Sequence, residues 1–198
     1  MNIDIKKLSP ELLNDFLYYF DNVAFANHKD WSGCYCVYPY VCEFAGEELP
    51  KGINSKYRDC AVDLIKSGKL QGYLAYYEKE VVGWCNANDK TNYVNIAVNI
   101  NPSVDIDKKI KSIVCFTVAP NMQRKGIATK LLKKVYSDAL EENYDIAEAY
   151  PYNGDLDFEY AGFHHTGTAA MYEKHGFSVF YKSKEALIMR KYLSVAQL

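Results

Sequence analysis

The sequence predicts an α/β fold in one domain over residues 1–198, and three observations carry that reading. Strand-period and helix-period stretches alternate along the whole chain. Ile113, Val114, Cys115, Phe116 and Val118 form an almost continuous apolar run, the pattern of a strand buried on both faces. That run empties at Pro120 into a polar, basic loop, after which apolar side chains return at Ile127, Leu131, Leu132, Val135 and Ala139 as one helical stripe.

The elements follow in order. Ile3–Leu8 alternates as a first strand. Ser9-Pro10-Glu11 reads as a helix start, with a capping hydroxyl, a proline that needs no N–H donor and a carboxylate at the positive end; Leu12, Leu13, Phe16, Leu17 and Phe20 follow at helical spacing. The segment from Asn22 to Gly52 is irregular and, over residues 31–42, too rich in aromatics and cysteines for a solvated loop; it reads equally as an acceptor-shaping segment or a structural flap. Asn54–Ser67 predicts a second helix stopped at Gly68. Gly72–Tyr77 and Val81–Asn86 predict a hairpin around Glu78-Lys79-Glu80. Val94, Ile96, Val98 and Ile100 alternate as a short extra strand. Beyond the central helix come a strand at Ile146–Tyr150, a short helix at Thr166–His175, a strand with Phe177, Val179 and Tyr181 on one face, and a last strand at Ala186–Leu193.

The loop Asn121–Gly126 sits at a helix N-terminus, where unpartnered N–H groups and a positive dipole favour phosphate, and Gly126 admits close backbone approach. Gln123-Arg124-Lys125-Gly126-Ile127-Ala128, preceded by a strand ending in proline and followed at a distance by Met171-Tyr172-Glu173-Lys174-His175-Gly176-Phe177, resembles the acyl-CoA motif of the GNAT superfamily of N-acetyltransferases. A nucleotide triphosphate loop would need Gly-Lys-Ser/Thr, and here Lys125 precedes Gly126. The specific cofactor motif falls within residues 112–140. The resemblance implies a mixed, splayed central sheet with helices on both faces, acetyl-CoA as co-substrate and an amine as acceptor.

It also implies roles. The backbone of Phe116, Thr117 and Val118 is expected to hold the pantetheine arm; Gln123, Arg124, Lys125, Gly126, Ile127 and Ala128 are expected to hold the pyrophosphate, with the Thr129 hydroxyl beside them. Tyr172 is similar to the family tyrosine that protonates the leaving thiolate. Glu148, on the strand that faces the amine in such folds, is the candidate base, directly or through water. Many family members carry an Asn where this chain has His165. The leading function is acetyl transfer to a primary amine by direct attack in a ternary complex; the rival is a non-catalytic domain that binds acyl-CoA and reports its level.

A net charge of −2 with 49% hydrophobic and 24% charged residues argues against a nucleic-acid partner. The opening MNIDIKKLSPELL lacks an export signal's apolar core and no run is long enough to span a bilayer, so a cytoplasmic, membrane-free protein is expected, as monomer or homodimer. The six cysteines then read as reduced thiols, and Cys34-x-Cys36 with Cys42 lacks the second ligand pair that a structural zinc site requires, so no metal is expected. His164, His165 and His175 read as surface or helix-end residues. From Val135 to Tyr160 there are acidic residues and no Lys or Arg, a stretch that would steer a cationic acceptor or simply be solvated.

Overall fold

The strand and helix patterns resolve into one sheet with helices on both faces. In the computed structural model, residues 1–27, 29, 32–41, 55–96, 105, 107–151, 165–184 and 186–193 are described. The strands are β1 (Asp4–Lys7), β2 (Gly72–Tyr77), β3 (Glu80–Asp89), β4 (Ile110–Val118), β5 (Ile146–Ala149), β6 (Ser178–Lys182) and β7 (Leu187–Tyr192). The helices are α1 (Leu13–Tyr18), α2 (Ser55–Lys66), α3 (Ile127–Glu141) and α4 (Ala169–Glu173). The spatial order is β1-β2-β3-β4-β5-β7-β6, and every neighbouring pair is antiparallel except β4 with β5.

Two apolar layers flank the sheet. On one face Phe16, Leu17 and Phe20 of the first helical segment and Tyr57, Ala61 and Ile65 of α2 pack on Leu74, Tyr76 and Trp84. On the other, Ile127, Leu131, Leu132 and Val135 of α3 pack on Ala75, Val82, Ile113, Ala147 and Ala149, the alanines letting the helix lie close. Gly83 serves the same end, since a Cβ there would lie 3.0 Å from Ile127. Each fully buried aliphatic side chain in these layers contributes about 1.5–3 kcal/mol relative to exposure.

Several details differ from the sequence expectations. Ser9 makes no side-chain cap; Pro10–Leu12 winds as a 3-10 turn, α1 begins at Leu13, and Tyr19–Val23 continue it as a wider π turn. The β2–β3 connection is a two-residue turn, because Glu78 and Lys79 both take positive φ (52° and 73°) while Glu80 pairs with Tyr77. β3 runs on past Asn86 to Asp89, with a bulge at Asn86/Ala87. Asn86 and Asn88 are buried there, Asn86 accepting from the Tyr40 and Tyr93 hydroxyls and donating to the Cys36 carbonyl, Asn88 donating to the Lys69 carbonyl. The extra strand is not formed over Val94–Ile96, where the Val94 and Asn95 N–H groups donate to Pro39 C=O; residues 97–100 lie outside the described residues. Phe177, Val179 and Tyr181 do not share a buried face: Phe177 is buried where α4 ends, a bulge interrupts Val179 and Tyr181, and Val179 is 53% exposed on the edge strand.

The described part of the aromatic segment packs into the fold. Tyr35, Cys36 and Val37 lie in the α1/α2 layer, and the Tyr35 hydroxyl donates to Asp21 at 2.5 Å, with Arg58 holding the same carboxylate. Trp31 and Cys42 lie outside the described residues.

Candidate active site

The sheet forks beside β4. β4 pairs with β5 only from Ile110↔Ile146 to Ile113↔Ala149, yet stays paired with β3 out to Gly83↔Val118. Among the described residues no strand continues along the β5 side of β4 past Ile113. In an antiparallel ladder, successive residues turn their N–H and C=O alternately toward the partner and away. The Ala119 N–H donates to Val82 C=O at 2.9 Å, which sets the phase: Thr117 faces Trp84 on β3, and Phe116 and Val118 turn their backbone groups into the fork. Gln123 Nε2, 3.4 Å from the Val118 carbonyl, agrees with that phase. The Thr117 backbone, expected to hold the pantetheine arm, therefore belongs to the β3 ladder, and its carbonyl also accepts the Tyr19 hydroxyl at 2.8 Å.

The fork's open edge leads through the Pro120 turn to the N-terminus of α3. Gln123, Arg124, Lys125 and Gly126 are exposed, Ile127 is buried as the first core contact of the helix, and Ala128 and Thr129 are half-buried. Arg124 (φ 58°) and Gly126 (φ 79°) take left-handed conformations either side of Lys125. The first intrahelical bond runs from the Lys130 N–H to Gly126 C=O, so the N–H groups of Gly126, Ile127, Ala128 and Thr129 precede the ladder and have no intrahelical acceptor. A Cβ at Gly126 would meet nothing within 4 Å, so the turn is open on that side, and the exposed Arg124 and Lys125 flank it; free amides at a helix N-terminus with cations beside them suit an anion.

Tyr172 on α4 is 0% exposed, its ring against Phe116 (6.5 Å between centroids) and Phe177 (5.2 Å). Its hydroxyl donates to the Thr166 carbonyl at 2.8 Å, and burial pushes its pKa well above the ordinary phenol value. Gly167 makes the close approach possible: a Cβ there would lie 3.2 Å from the Tyr172 hydroxyl.

Glu148 on β5 is also 0% exposed. Arg190 of β7 reaches its Oε2 with Nε and Nη2, both at 2.6 Å, Lys90 pairs with Oε1 at 2.9 Å, and the Tyr150 hydroxyl donates to Oε1 at 2.5 Å. Arg190 also forks onto Asp105 at 3.0 and 2.6 Å. Direct proton transfer to Glu148 is closed off by this shell; the carboxylate meets the fork through Tyr150. Sequence reasoning placed Glu148 and Tyr150 on one face of β5 but missed the pair as a unit, along with Ser112 of β4, whose Oγ is 3.0 Å from the Tyr150 hydroxyl.

Other expectations take definite places. His165 is exposed in the turn before α4, His175 lies beside Tyr136 at 6.3 Å between rings, and His164 is outside the described residues. Four carboxylates of the described acidic stretch have cationic partners, Asp138 with Lys134, Glu142 with Lys7 and Lys111, Asp145 with Lys108 and Glu148 with Arg190, while Glu141 is exposed. Asp155, Asp157 and Glu159 lie outside the described residues.

The sheet forks after its fourth strand, and a helix N-terminus stands at the end of that fork. The acetyltransferase (GNAT) domain matches residues 69–179, and the chain belongs to the GNAT acetyltransferase family. Among curated proteins no sequence matches it. In fold it is similar to the PaiA N-acetyltransferase of Thermoplasma acidophilum in complex with coenzyme A, at 19% identity over 97% of this chain and 99% of that one, TM-score 0.53. An N-acetyltransferase of Staphylococcus aureus Mu50 aligns at 16% identity over 98% and 100% of the two chains, TM-score 0.55. The ribosomal-protein-S18-alanine N-acetyltransferase of Escherichia coli does so at 13% over 98% and 96%, TM-score 0.52. No helix among the described residues is long and apolar enough to cross a membrane.

Proposed function

We propose that this chain transfers an acetyl group from acetyl-CoA to a primary amine, the amine attacking the thioester directly in a ternary complex, with residues 1–198 as one catalytic domain. The observation that carries the reading is the continuity of the Phe116 and Val118 open edge with the α3 N-terminus. A donor with amide groups along its arm and a diphosphate at its end offers matching chemistry to both. The arm would lie on Phe116 and Val118; the diphosphate would meet the N–H groups from Gly126 to Thr129, with Gln123, Arg124 and Lys125 at its flank.

In the reaction the amine nitrogen bonds to the thioester carbon, the C–S bond breaks and the thiolate leaves with the electron pair. The attacking nitrogen gives up one proton to water, and the thiolate takes one. We assign the second transfer to Tyr172, whose raised pKa keeps the phenol protonated; delivery requires its O–H to exchange the Thr166 carbonyl for the sulfur. Glu148, enclosed by Arg190, Lys90 and Tyr150, acts as a positioning residue for Tyr150.

A non-catalytic acyl-CoA sensor is the second reading, favoured by the inward turn of the Tyr172 hydroxyl and the neutralised Glu148. A thiol-release assay with acetyl-CoA over amines, polyamines, amino acids, peptides and aminoglycosides separates the two. Turnover with any acceptor supports the enzyme; clear acetyl-CoA binding without turnover establishes the sensor.

A further inference from the structure

We propose that the hydroxyl oxygen of Tyr150 receives the acceptor's amino group, making Tyr150 a specificity-determining residue at the floor of the fork; this rests on the acetyltransferase reading. The position comes first. Ile113↔Ala149 is the last pair between β4 and β5, and Tyr150 is the next residue, half-buried where the strands part. Its hydroxyl turns back over the Ser112↔Glu148 pair, one pair inside that last one, 3.0 Å from Ser112 Oγ on β4 and 2.5 Å from Glu148 Oε1 on its own side. A donor anchored by phosphate at Gly126 and running along Val118 and Phe116 brings its acyl end toward this floor.

Hydrogen-bond accounting decides what the oxygen presents. The Tyr150 O–H donates to Glu148 Oε1, and the same carboxyl group is paired with Arg190 and Lys90. One hydrogen is left for the contact between the two hydroxyls, and Ser112 must supply it. The Tyr150 oxygen then has one lone pair taken and one remaining, with no hydrogen to offer. Burial and the Glu148 charge both push the phenol pKa well above its usual value, which keeps this arrangement protonated. Such an atom accepts from N–H groups and offers nothing to a carboxylate or carbonyl. The short bond to an anion enriches its electron density, which favours an ammonium over a neutral donor; the bound ammonium loses one proton to water before it attacks.

The two tyrosines sit on opposite faces. Ile113 packs in the α3 layer with Tyr172, so by strand alternation Ser112 and its partner Tyr150 lie on the α1/α2 face. The nucleophile is held on one side of the fork and the leaving sulfur meets its acid on the other.

Methylamine, the smallest primary amine, tests this without knowledge of the natural acceptor. In methylamine-dependent thiol release from acetyl-CoA, Tyr150→Phe should lower kcat/KM for methylamine about tenfold to a hundredfold, the range for a lost bond to a charged group. Its CoA affinity by calorimetry should stay within about twofold, since no donor contact is removed. A second arm follows the Tyr150 Cζ carbon by NMR in the CoA-saturated wild type, assigned from its displacement in Ser112→Ala. A saturable shift on adding methylamine, absent on adding methanol, supports the site. An equal kcat/KM in Tyr150→Phe, or no methylamine-dependent shift, overturns it and leaves the acetyltransferase reading standing. Should no amine release thiol, that reading falls instead, and the NMR arm alone decides whether Tyr150 holds an amine. The wild-type arm also stands where Tyr150→Phe fails to fold.

Discussion

Arg190 and Glu148 are cross-strand partners on β7 and β5, with two guanidinium nitrogens 2.6 Å from one carboxylate oxygen and neither residue more than 2% exposed. Such a pair says little about net stability, because desolvation offsets most of the attraction, but it fixes geometry: removing one partner strands the other. Here the stranded groups would include Asp105 and, through Glu148, the Tyr150 hydroxyl at the fork.

Arg190→Met should therefore destabilise the fold by about 3–5 kcal/mol, the usual cost of an orphaned buried charge. Combining it with Glu148→Gln should recover part of that loss, because the carboxylate left behind is then neutral. Urea unfolding of the two single variants and the double variant measures the coupling. A single-variant loss below about 1 kcal/mol would mean that solvent reaches the pair.

Glu142 predicts a pH dependence of stability. Its burial acts to raise the carboxyl pKa, and Lys7 and Lys111 overcome this, leaving it below the ordinary value. The folded state thus binds fewer protons here than the unfolded chain. The stabilisation is fully present above the unfolded carboxylate pKa of about 4.3 and is lost as pH falls through the lower folded value. Urea midpoints between pH 6 and pH 3 should fall less steeply in Glu142→Gln than in wild type; parallel curves would show that the Lys7 and Lys111 contacts carry no linkage.

What was legible in the sequence was what local spacing encodes. Gln123–Ala128, followed by the apolar stripe from Ile127 to Ala139, announces a helix N-terminus, and the alternation in Ile146–Tyr150 put Glu148 and Tyr150 on one face. Register was not legible. The parts of Glu148's shell, Lys90, Ser112 behind Tyr150, and Arg190, come from three strands or their ends and carry no mutual spacing signal. Asn86 and Asn88 hid the end of β3 because buried amides satisfied by Tyr40, Tyr93 and Lys69 have the composition of a loop. The phase of β4 was likewise hidden, since naming Phe116, Thr117 and Val118 as one run does not say which of them faces the fork.

Tyr19→Phe tests that phase. The Tyr19 hydroxyl donates to the Thr117 carbonyl, which belongs to the β3 side of the strand. Losing it should cost about 1 kcal/mol of stability and leave CoA affinity unchanged. A drop in CoA affinity of tenfold or more, with an intact melting profile, would put Thr117 back at the donor's edge.

Gly126→Asp tests the anion site. Nothing stands within 4 Å of its would-be Cβ, so a steric clash within the protein does not enter. What changes is a negative charge over the helix N-terminus and a side chain at φ 79°. CoA binding by calorimetry should weaken strongly, and by less for dephospho-CoA than for CoA only where the additional phosphate also lies near this charge. Gly126→Ala isolates the backbone contribution, about 1 kcal/mol of folding stability, with a much smaller effect on CoA. Equal CoA affinity in Gly126→Asp and wild type would move the phosphates elsewhere.

Tyr172→Phe separates a proton donor from a packing ring. The ring contacts with Phe116 and Phe177 are retained, so acetyl-CoA affinity should hold, while the hydrogen bond to Thr166 is lost at about 1 kcal/mol of stability. An acid role predicts that turnover falls about a hundredfold to ten-thousandfold. Burial raises the phenol pKa well above its ordinary value, so the proton stays on to higher pH and the high-pH decline in wild-type turnover should begin above the reference phenol value of about 10. That decline should disappear in Tyr172→Phe, measured by thiol release across a pH series with folding checked at each end. A turnover loss under about threefold, with the decline intact, would leave Tyr172 as a core ring whose hydroxyl only satisfies the Thr166 carbonyl. The thiolate would then take its proton from water at the fork.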